Sequence, residues 1–228
     1  MANLKEIKNR ITSISSTMQI TSAMKMVSAA KLKRAQDAIT QMRPYAKKLQ
    51  EILGNVSGSL DLSENAYAEE RELKNVLIIG VSSNRGLCGG FNNNITKQIN
   101  HLLKNDLAGL NVRVLSIGKK INDSFKNSAY NLRPDGLGGA EEMFNDLSFE
   151  RAAEHAQYAM DEFLKGTYDK VIVVYNQFKN AAVQEVQAEQ LLPIVTELKE
   201  NETQSSVDYI FEPSKMEILT DLIPKTLK

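Results

Sequence analysis

Between residues 7 and 56, apolar side chains recur in alternating steps of four and three. The row reads Ile7, Ile11, Ile14, Met18, Thr21, Lys25, Ser28, Leu32, Ala35, Ile39, Met42, Ala46, Leu49, Leu53, Val56. Twelve of these fifteen positions are apolar, which makes the row a sustained heptad seam and not the looser stripe of a surface helix. The spacing predicts a helix from residue 3 to about 56, with a bend or local break at Pro44 and an end marked by Gly54 and Gly58. About 50 helical residues at ~1.5 Å each make a rod of roughly 75 Å. The other ~170 residues would fold into a body roughly 30–40 Å across. Much of the rod is therefore expected to project from that body. Helix propensity alone does not hold an apolar-seamed rod together in water, so a partner helix is expected.

The three polar exceptions, Thr21, Lys25 and Ser28, are consecutive along the seam, and a second apolar row of Ile20, Met24 and Val27 begins there. One reading is a register adjustment in a coiled coil. The sharper reading makes Ile20, Met24, Lys25 and Val27 a contact surface for another protein, since small residues and Met suit a surface that meets several shapes. Residues 1–50 carry ten basic and two acidic side chains, a net of +8; the chain sums to zero, so the remainder carries −8. A basic rod suggests an acidic partner, although such charge is most often a solvated helix face. Nucleic acid fits less well, because no aromatics interleave with the basic residues and no recognition motif is present.

With 228 residues, one or two domains are expected. The longest strongly apolar run, VLIIGV at 76–81, is far short of the ~20 residues a bilayer requires. The amphipathic pattern starts within a few residues of Met1 with no apolar core of a signal peptide, so neither a signal nor a transit peptide is expected. The single cysteine, Cys88, excludes an internal disulfide and fits a reducing compartment. Two distant histidines, His101 and His155, give no metal-ligand cluster.

Residues 58–74 are polar and read as a connection, with room for a short helical piece. Val76–Val81 is a continuous apolar run, as in a central strand covered on both faces. The Gly-rich turn SSNRGLCGGF follows at 82–91, and Asn92 to Asn94 offer caps for a helix with a core face of Ile95, Ile99, Leu102 and Leu103. Val112, Val114, Leu115 and Ile117 form a second strand, completing a βαβ unit. A short helix is expected over 118–125, then a loop-rich stretch over 127–147. A helix capped by Ser148 should run to Gly166 on a face of Phe149, Ala152, Ala153, Ala156, Ala159 or Met160, and Phe163. Val171–Tyr175 reads as a buried strand, Asn176–Asn180 as a turn, and 182–192 as an edge strand ended by Pro193. DYIFEP at 208–213 is extended. Ser214–Glu217 forms a capping box for a helix with Met216, Leu219, Leu222 and Ile223, interrupted at Pro224. The fold class is α/β: a long N-terminal coiled-coil helix and a Rossmann-like domain with a mainly parallel sheet. The expected divisions are the shaft helix (1–57), connection (58–74), α/β domain (75–212) and the start of a C-terminal helix (213–228).

A strand, then glycines, then a helix N-terminus is geometry that can hold phosphate. Gly86-Leu87-Cys88-Gly89-Gly90, however, is neither GxGxxG nor a Walker sequence, and it holds no lysine. A structural turn shaped by Gly86, Gly89 and Gly90 is the favoured reading. Cys88 could serve as a nucleophile beside a histidine, but a small buried residue at a strand end is favoured. Glu69-Glu70 and Glu141-Glu142 read as solvated surface. With no catalytic set, the chain does not read as an enzyme acting alone. The alternative is an α/β nucleotide-binding enzyme with a coiled-coil arm, its nucleotide at the helix start near Asn92; a third reading is a coiled-coil adaptor.

The opening LKEIKNRITSISSTMQITSAMKMVSAAKLKRAQ resembles the N-terminal helix of the gamma subunit of F-type ATP synthases. VSSNRGLCGGFNNNI resembles that family's strand-turn-helix hallmark, and YNQFKNAAVQEVQAEQLLPI and DYIFEPS its later strands and the approach to its final helix. The match runs in order along essentially all of the chain. It implies a central rotor shaft inside a ring of three alpha and three beta subunits, coupling proton or sodium flow to ATP synthesis. It further implies an epsilon subunit and a membrane rotor ring of c subunits as partners, no nucleotide or other cofactor on the chain, and a peripheral place on the cytoplasmic side of a bacterial plasma membrane. By the same resemblance, the Met24–Lys25 region meets the beta levers, Lys25 standing where some relatives carry an acid. Tyr209, Phe211 and Glu212 fall in the segment that touches the rotor ring. A second long helix follows DLIPKTLK in the family; these 228 residues stop there, so the seam is expected to lack its intrachain partner and the isolated chain to self-associate.

Overall fold

The computed structural model describes residues 3–57, 65–145, 147–194 and 222–227. The chain divides into two compact units, Met1–Ile52 and Leu53–Lys228.

The first unit is built on α1, a 54-residue helix over Leu4–Ser57, about 80 Å long at ~1.5 Å per residue. Asn3 starts it: its carbonyl accepts from the Glu6 and Ile7 amides at 2.8 and 3.2 Å, and its side-chain oxygen accepts from the Lys5 amide at 3.3 Å. Glu6 lies in the first turn, where a negative charge suits the helix dipole. The local break expected at Pro44 does not occur, because the helix continues through it. Proline forfeits one bond, to the carbonyl of Thr40, at a cost of about 3 kcal/mol. The ladder on either side is long enough to absorb that loss.

The second unit is a five-stranded sheet in the order β3-β2-β1-β4-β5, formed by β1 (Asn75–Val81), β2 (Asn111–Ile117), β3 (Asn131–Leu132), β4 (Lys170–Phe178) and β5 (Gln184–Leu192). β1 lies between β2 and β4, parallel to both. β3 is parallel to β2, and β5 returns antiparallel to β4 as a hairpin. Side chains alternate across β1, as a pleated strand requires. Val76 and Ile78 enter one core with Ile95, Ile99, Ile121 and Phe125. Leu77 and Ile79 enter the other with Ala159, Met160, Phe163 and Tyr168. The helices behind these faces are α2 (Phe91–Lys104), α3 (Lys119–Phe125) and α4 (Phe149–Leu164). Asp169 ties two central strands at their base: its Oδ2 accepts from the Lys74 and Asn75 amides at 2.9 and 2.8 Å. Arg71 clamps the end of α4, donating to the Phe163 carbonyl at 2.7 Å with its guanidinium 4.9 Å from that residue's ring centre.

Several expectations are corrected. α2 is not capped by Asn92–Asn94; it begins at Phe91 with Gly90 in the capping position and no side-chain cap. The stretch 127–147 contains β3 and a short 3-10 turn at Glu142–Phe144; two residues are too few for alternation to reveal a strand. α4 keeps its Ser148 cap, the hydroxyl accepting from the Arg151 amide at 3.4 Å, but its buried face is His155, Ala159, Met160 and Phe163. Phe149 is 60% exposed, because it precedes the turns that reach the sheet. The turn placed at Asn176–Asn180 begins later. β4 runs to Phe178, and the Asn180 side chain closes the hairpin by accepting from the Ala182 and Val183 amides, each at 2.9 Å. Residues 222–227 are helical through Pro224, with Ile223 1% exposed and Leu227 packed against the second core. The short strand or extended piece expected at 208–213 and the Ser214–Glu217 capping box lie outside the described residues.

Candidate functional site

On α1 the two apolar rows stand in the open. Ile7, Ile11, Ile14 and Met18 are 50%, 63%, 61% and 66% exposed, and Ile20, Met24 and Val27 are 62%, 65% and 56%. Lys25 is exposed between them. The four residues singled out as a partner surface thus share one open stretch of helix. Their neighbours Thr12, Thr17 and Thr21 donate their hydroxyls to the carbonyls four residues back, at 3.0, 2.9 and 2.8 Å. Such back-bonding satisfies a hydroxyl within its own helix.

The Gly-rich turn follows β1 and is held by three asparagines, of which the sequence had suggested Asn92 only as a cap. Asn92 Oδ1 accepts from the Ser83 amide at 3.0 Å, and its amide donates to the Arg85 carbonyl at 3.0 Å and the Cys88 sulfur at 3.1 Å. Asn84 spans to the far side of the sheet end, donating to the Glu141 carbonyl and accepting from the Lys119 amide, both at 2.9 Å. Asn176 donates from β4 to the Phe91 carbonyl at 2.9 Å. The Asn92 side chain, near which the alternative reading places a nucleotide, is spent on hydrogen bonds within the chain. Of the three glycines, Gly89 alone has a positive φ, +60°. Gly86 and Gly90 do not, and a methyl at Gly90 would lie 3.1 Å from the Asn94 amide. Leu87 also adopts φ +60° and is fully exposed. Cys88 is exposed and not the buried residue expected, because the turn lifts it clear of the strand end. His101 lies in the last turn of α2, a helix length away from Cys88, so these two form no nucleophilic pair.

Below the turn, Ser82 and Gly118 meet. The Ser82 amide extends the β ladder to the Ile117 carbonyl at 2.8 Å, and its hydroxyl accepts from the Ile121 amide at 2.9 Å. Gly118, with φ +101°, has its α-carbon against the Ser82 carbonyl. His155 is a satisfied core histidine, 6% exposed, with Nδ1 2.9 Å from the Arg151 carbonyl. Its spacing of four from Ala159 was the available signal. Tyr209, Phe211 and Glu212 lie outside the described residues. Among the described residues, no group of three or more His, Cys, Asp or Glu could hold a metal, and no helix is long and apolar enough to cross a membrane.

A family model described as ATP synthase matches residues 3–228. The ATP synthase gamma chain of Christiangramia forsetii is 55% identical over 229 residues, which cover all of this chain and 78% of the relative. That of Flavobacterium psychrophilum is 53% identical with the same coverage. Among solved structures, the central stalk and c-ring of Tetrahymena thermophila mitochondrial ATP synthase gives a TM-score of 0.60 at 22% identity, covering 91% of this chain and 87% of that one. The rotor of Euglena gracilis mitochondrial ATP synthase gives 0.51 at 17% identity, covering 96% and 79%. These two share the fold: a long helix and a mainly parallel α/β sheet. With a matched family model along nearly its whole length and relatives above half identity, the chain belongs to the ATP synthase gamma chain family.

Proposed function

We propose that this chain is the central-stalk rotor subunit of an F-type ATP synthase. It couples ion flow across the membrane to the conformational cycle of the catalytic beta subunits, and it is a stalk component, not itself a catalyst. The observation that carries the reading is α1, a 54-residue helix whose apolar rows stay exposed. A helix of this kind is built to be covered by other chains. Its partners are three alpha and three beta subunits around the shaft, with an epsilon subunit and the c-ring at the other end. Ile20, Met24, Lys25 and Val27 face the alpha–beta ring, and Tyr209, Phe211 and Glu212 the c-ring. Gly86, Gly89 and Gly90 shape the turn. In this reading residues 1–57 are the shaft, 58–74 a connection, 75–212 the Rossmann-like domain and 213–228 the start of a C-terminal helix. The subunit works in a membrane-associated complex, on the cytoplasmic side of a bacterial plasma membrane, held there by its partners.

Reconstitution tests this. The chain is mixed with alpha and beta subunits of its own source, any complex is isolated by size, and ATP hydrolysis is assayed. A complex with three alpha subunits per copy of this chain and stimulated hydrolysis is expected. Stoichiometric nucleotide binding by the isolated chain, with no complex formed, would overturn the reading in favour of a nucleotide-binding enzyme.

A further inference from the structure

β3 ends at Leu132, where its pairing with β2 stops, and Pro134 has no N–H to carry the ladder further. The chain returns to β2 at Ala140, whose carbonyl accepts from the Gly118 amide. The detour between these two points roofs a pocket of about 280 Å³ at the carboxyl end of β2. The pleat sorts the polar groups around it. Alternation along β2 sets Ser116 on the face of Val112 and Val114, toward α3, and Leu115 on the face toward α4. Donors stand on the α3 side. Ser116 is 6% exposed, and its hydroxyl has no partner among the described residues. Asn122 Oδ1 accepts from the Arg133 guanidinium at 3.1 Å, a group with further N–H donors. Acceptors stand on the α4 side. His155 Nδ1 lies 2.9 Å from the Arg151 carbonyl and donates to it, so in the uncharged ring Nε2 is an acceptor. The Glu142 carboxylate lies over the Gly138–Gly139 bend, in the turn that packs Met143 and Phe144 on the α4 core. Glu141, by contrast, is paired with Lys119 at 3.4 Å. The walls between the two sides are Leu115, Leu132, Pro134 and Leu137.

We propose that this pocket binds a small aliphatic amino acid as its zwitterion. The carboxylate takes the donors of Ser116 and Arg133, the ammonium takes the acceptors Glu142 and His155, and the aliphatic side chain lies against Leu115, Leu132 and Leu137. A buried hydroxyl without a partner is destabilising, and a carboxylate oxygen beside Ser116 supplies one. The lining decides the class. A purely anionic ligand meets Glu142 as a like charge, and a purely cationic one meets Arg133. A ligand carrying both signs meets each with its opposite, in charge-assisted bonds. Size agrees: the pocket has the volume of about nine waters at ~30 Å³ each, and leucine has about nine non-hydrogen atoms. Water alone would fill such a space poorly, since the apolar walls offer it no bonds. Every group named belongs to the α/β unit, so the proposal stands apart from the rotor reading.

The experiment titrates the full chain with L-leucine by calorimetry, alongside leucinamide, which lacks the carboxylate, and 4-methylpentanoate, which lacks the ammonium. Saturable leucine binding below about 10 mM is expected. Each analogue should bind at least roughly tenfold more weakly, the loss of one charge-assisted bond. Ser116→Ala is expected to weaken leucine about two- to tenfold. Arg133→Met, at an exposed position, should bring leucine and leucinamide to within about twofold of each other, because the partner of the carboxylate is gone. Leu137→Trp fills the pocket and should abolish binding with the circular dichroism unchanged. In the parent, saturating leucine should slow amide hydrogen exchange over residues 133–142. Absence of saturable binding by the parent overturns the proposal, and the pocket then holds water only. Analogues that bind the parent as tightly as leucine overturn it too, as does full binding by Leu137→Trp. The analogue comparison is made on the parent chain, so it decides the matter even where a variant misfolds.

Discussion

Residues carry two kinds of constraint in this fold, steric and electrostatic, and each can be isolated. Gly118 and Gly136 both have positive φ, +101° and +85°. A methyl at Gly136 meets nothing, whereas at Gly118 it would run into the Ser82 backbone carbonyl. Gly136→Ala is expected to cost about 1 kcal/mol, from backbone strain alone. Gly118→Ala is expected to cost at least ~3 kcal/mol by urea unfolding, since backbone has to move as well. Two phenols give a pH signature. Burial, then the neighbouring Tyr158, pushes Tyr168 up to about 12. Burial, then its bond to Glu189, does the same for Tyr175. Ionisation starts in the unfolded chain at the ordinary value of 10.0, while the folded chain still holds both protons. Their contribution to stability is therefore complete below about pH 10 and lost as the pH rises toward about 12. Tyr168→Phe and Tyr175→Phe should each flatten that alkaline fall, measured as unfolding midpoint against pH.

Among the elements, those with a period long enough to repeat were readable in the sequence. α1 repeats its heptad for fifty residues, from Ile7 to Val56. β1 is a single apolar run, buried on both faces, and α2 presents Ile95, Ile99 and Leu102 as its spacing foretold. What escaped were features set by neighbours distant in sequence. β3 exists because Asn131 and Leu132 find Val114 and Leu115 alongside. Asn92, an apparent helix cap, serves the turn before it. Phe149 continues the helical period of α4 in the sequence yet has no sheet beneath it. At the candidate site, the exposed face around Ile20, Met24 and Val27 was legible from spacing, whereas the Thr17 and Thr21 back-bonds were not, because a hydroxyl's choice of acceptor leaves no periodic trace. Pro44 permits a test at this scale. With one rung missing in an otherwise continuous helix, Pro44→Ala is expected to strengthen α1 by up to ~3 kcal/mol. Slower amide hydrogen exchange between residues 40 and 48 would report it.

For the whole molecule, a net charge of zero conceals a separation of +8 in residues 1–50 from −8 in the rest. At neutral pH and low ionic strength the chain is expected to be retained on both cation and anion exchangers, and released from both near about 0.5 M salt, where screening falls to a few ångströms. Passing through either resin unretained would show that the charges of the two units neutralise each other locally. The exposed rows of α1 bear on the life of the chain in a cell. Half-exposed Ile, Met and Val along one helix are the signal by which chaperones and proteases sort unfinished proteins from finished ones. A copy made ahead of its partners carries that signal on its surface. Its abundance is then set less by how fast it is synthesised than by how soon its partners arrive, so that supply is matched to demand by disposal.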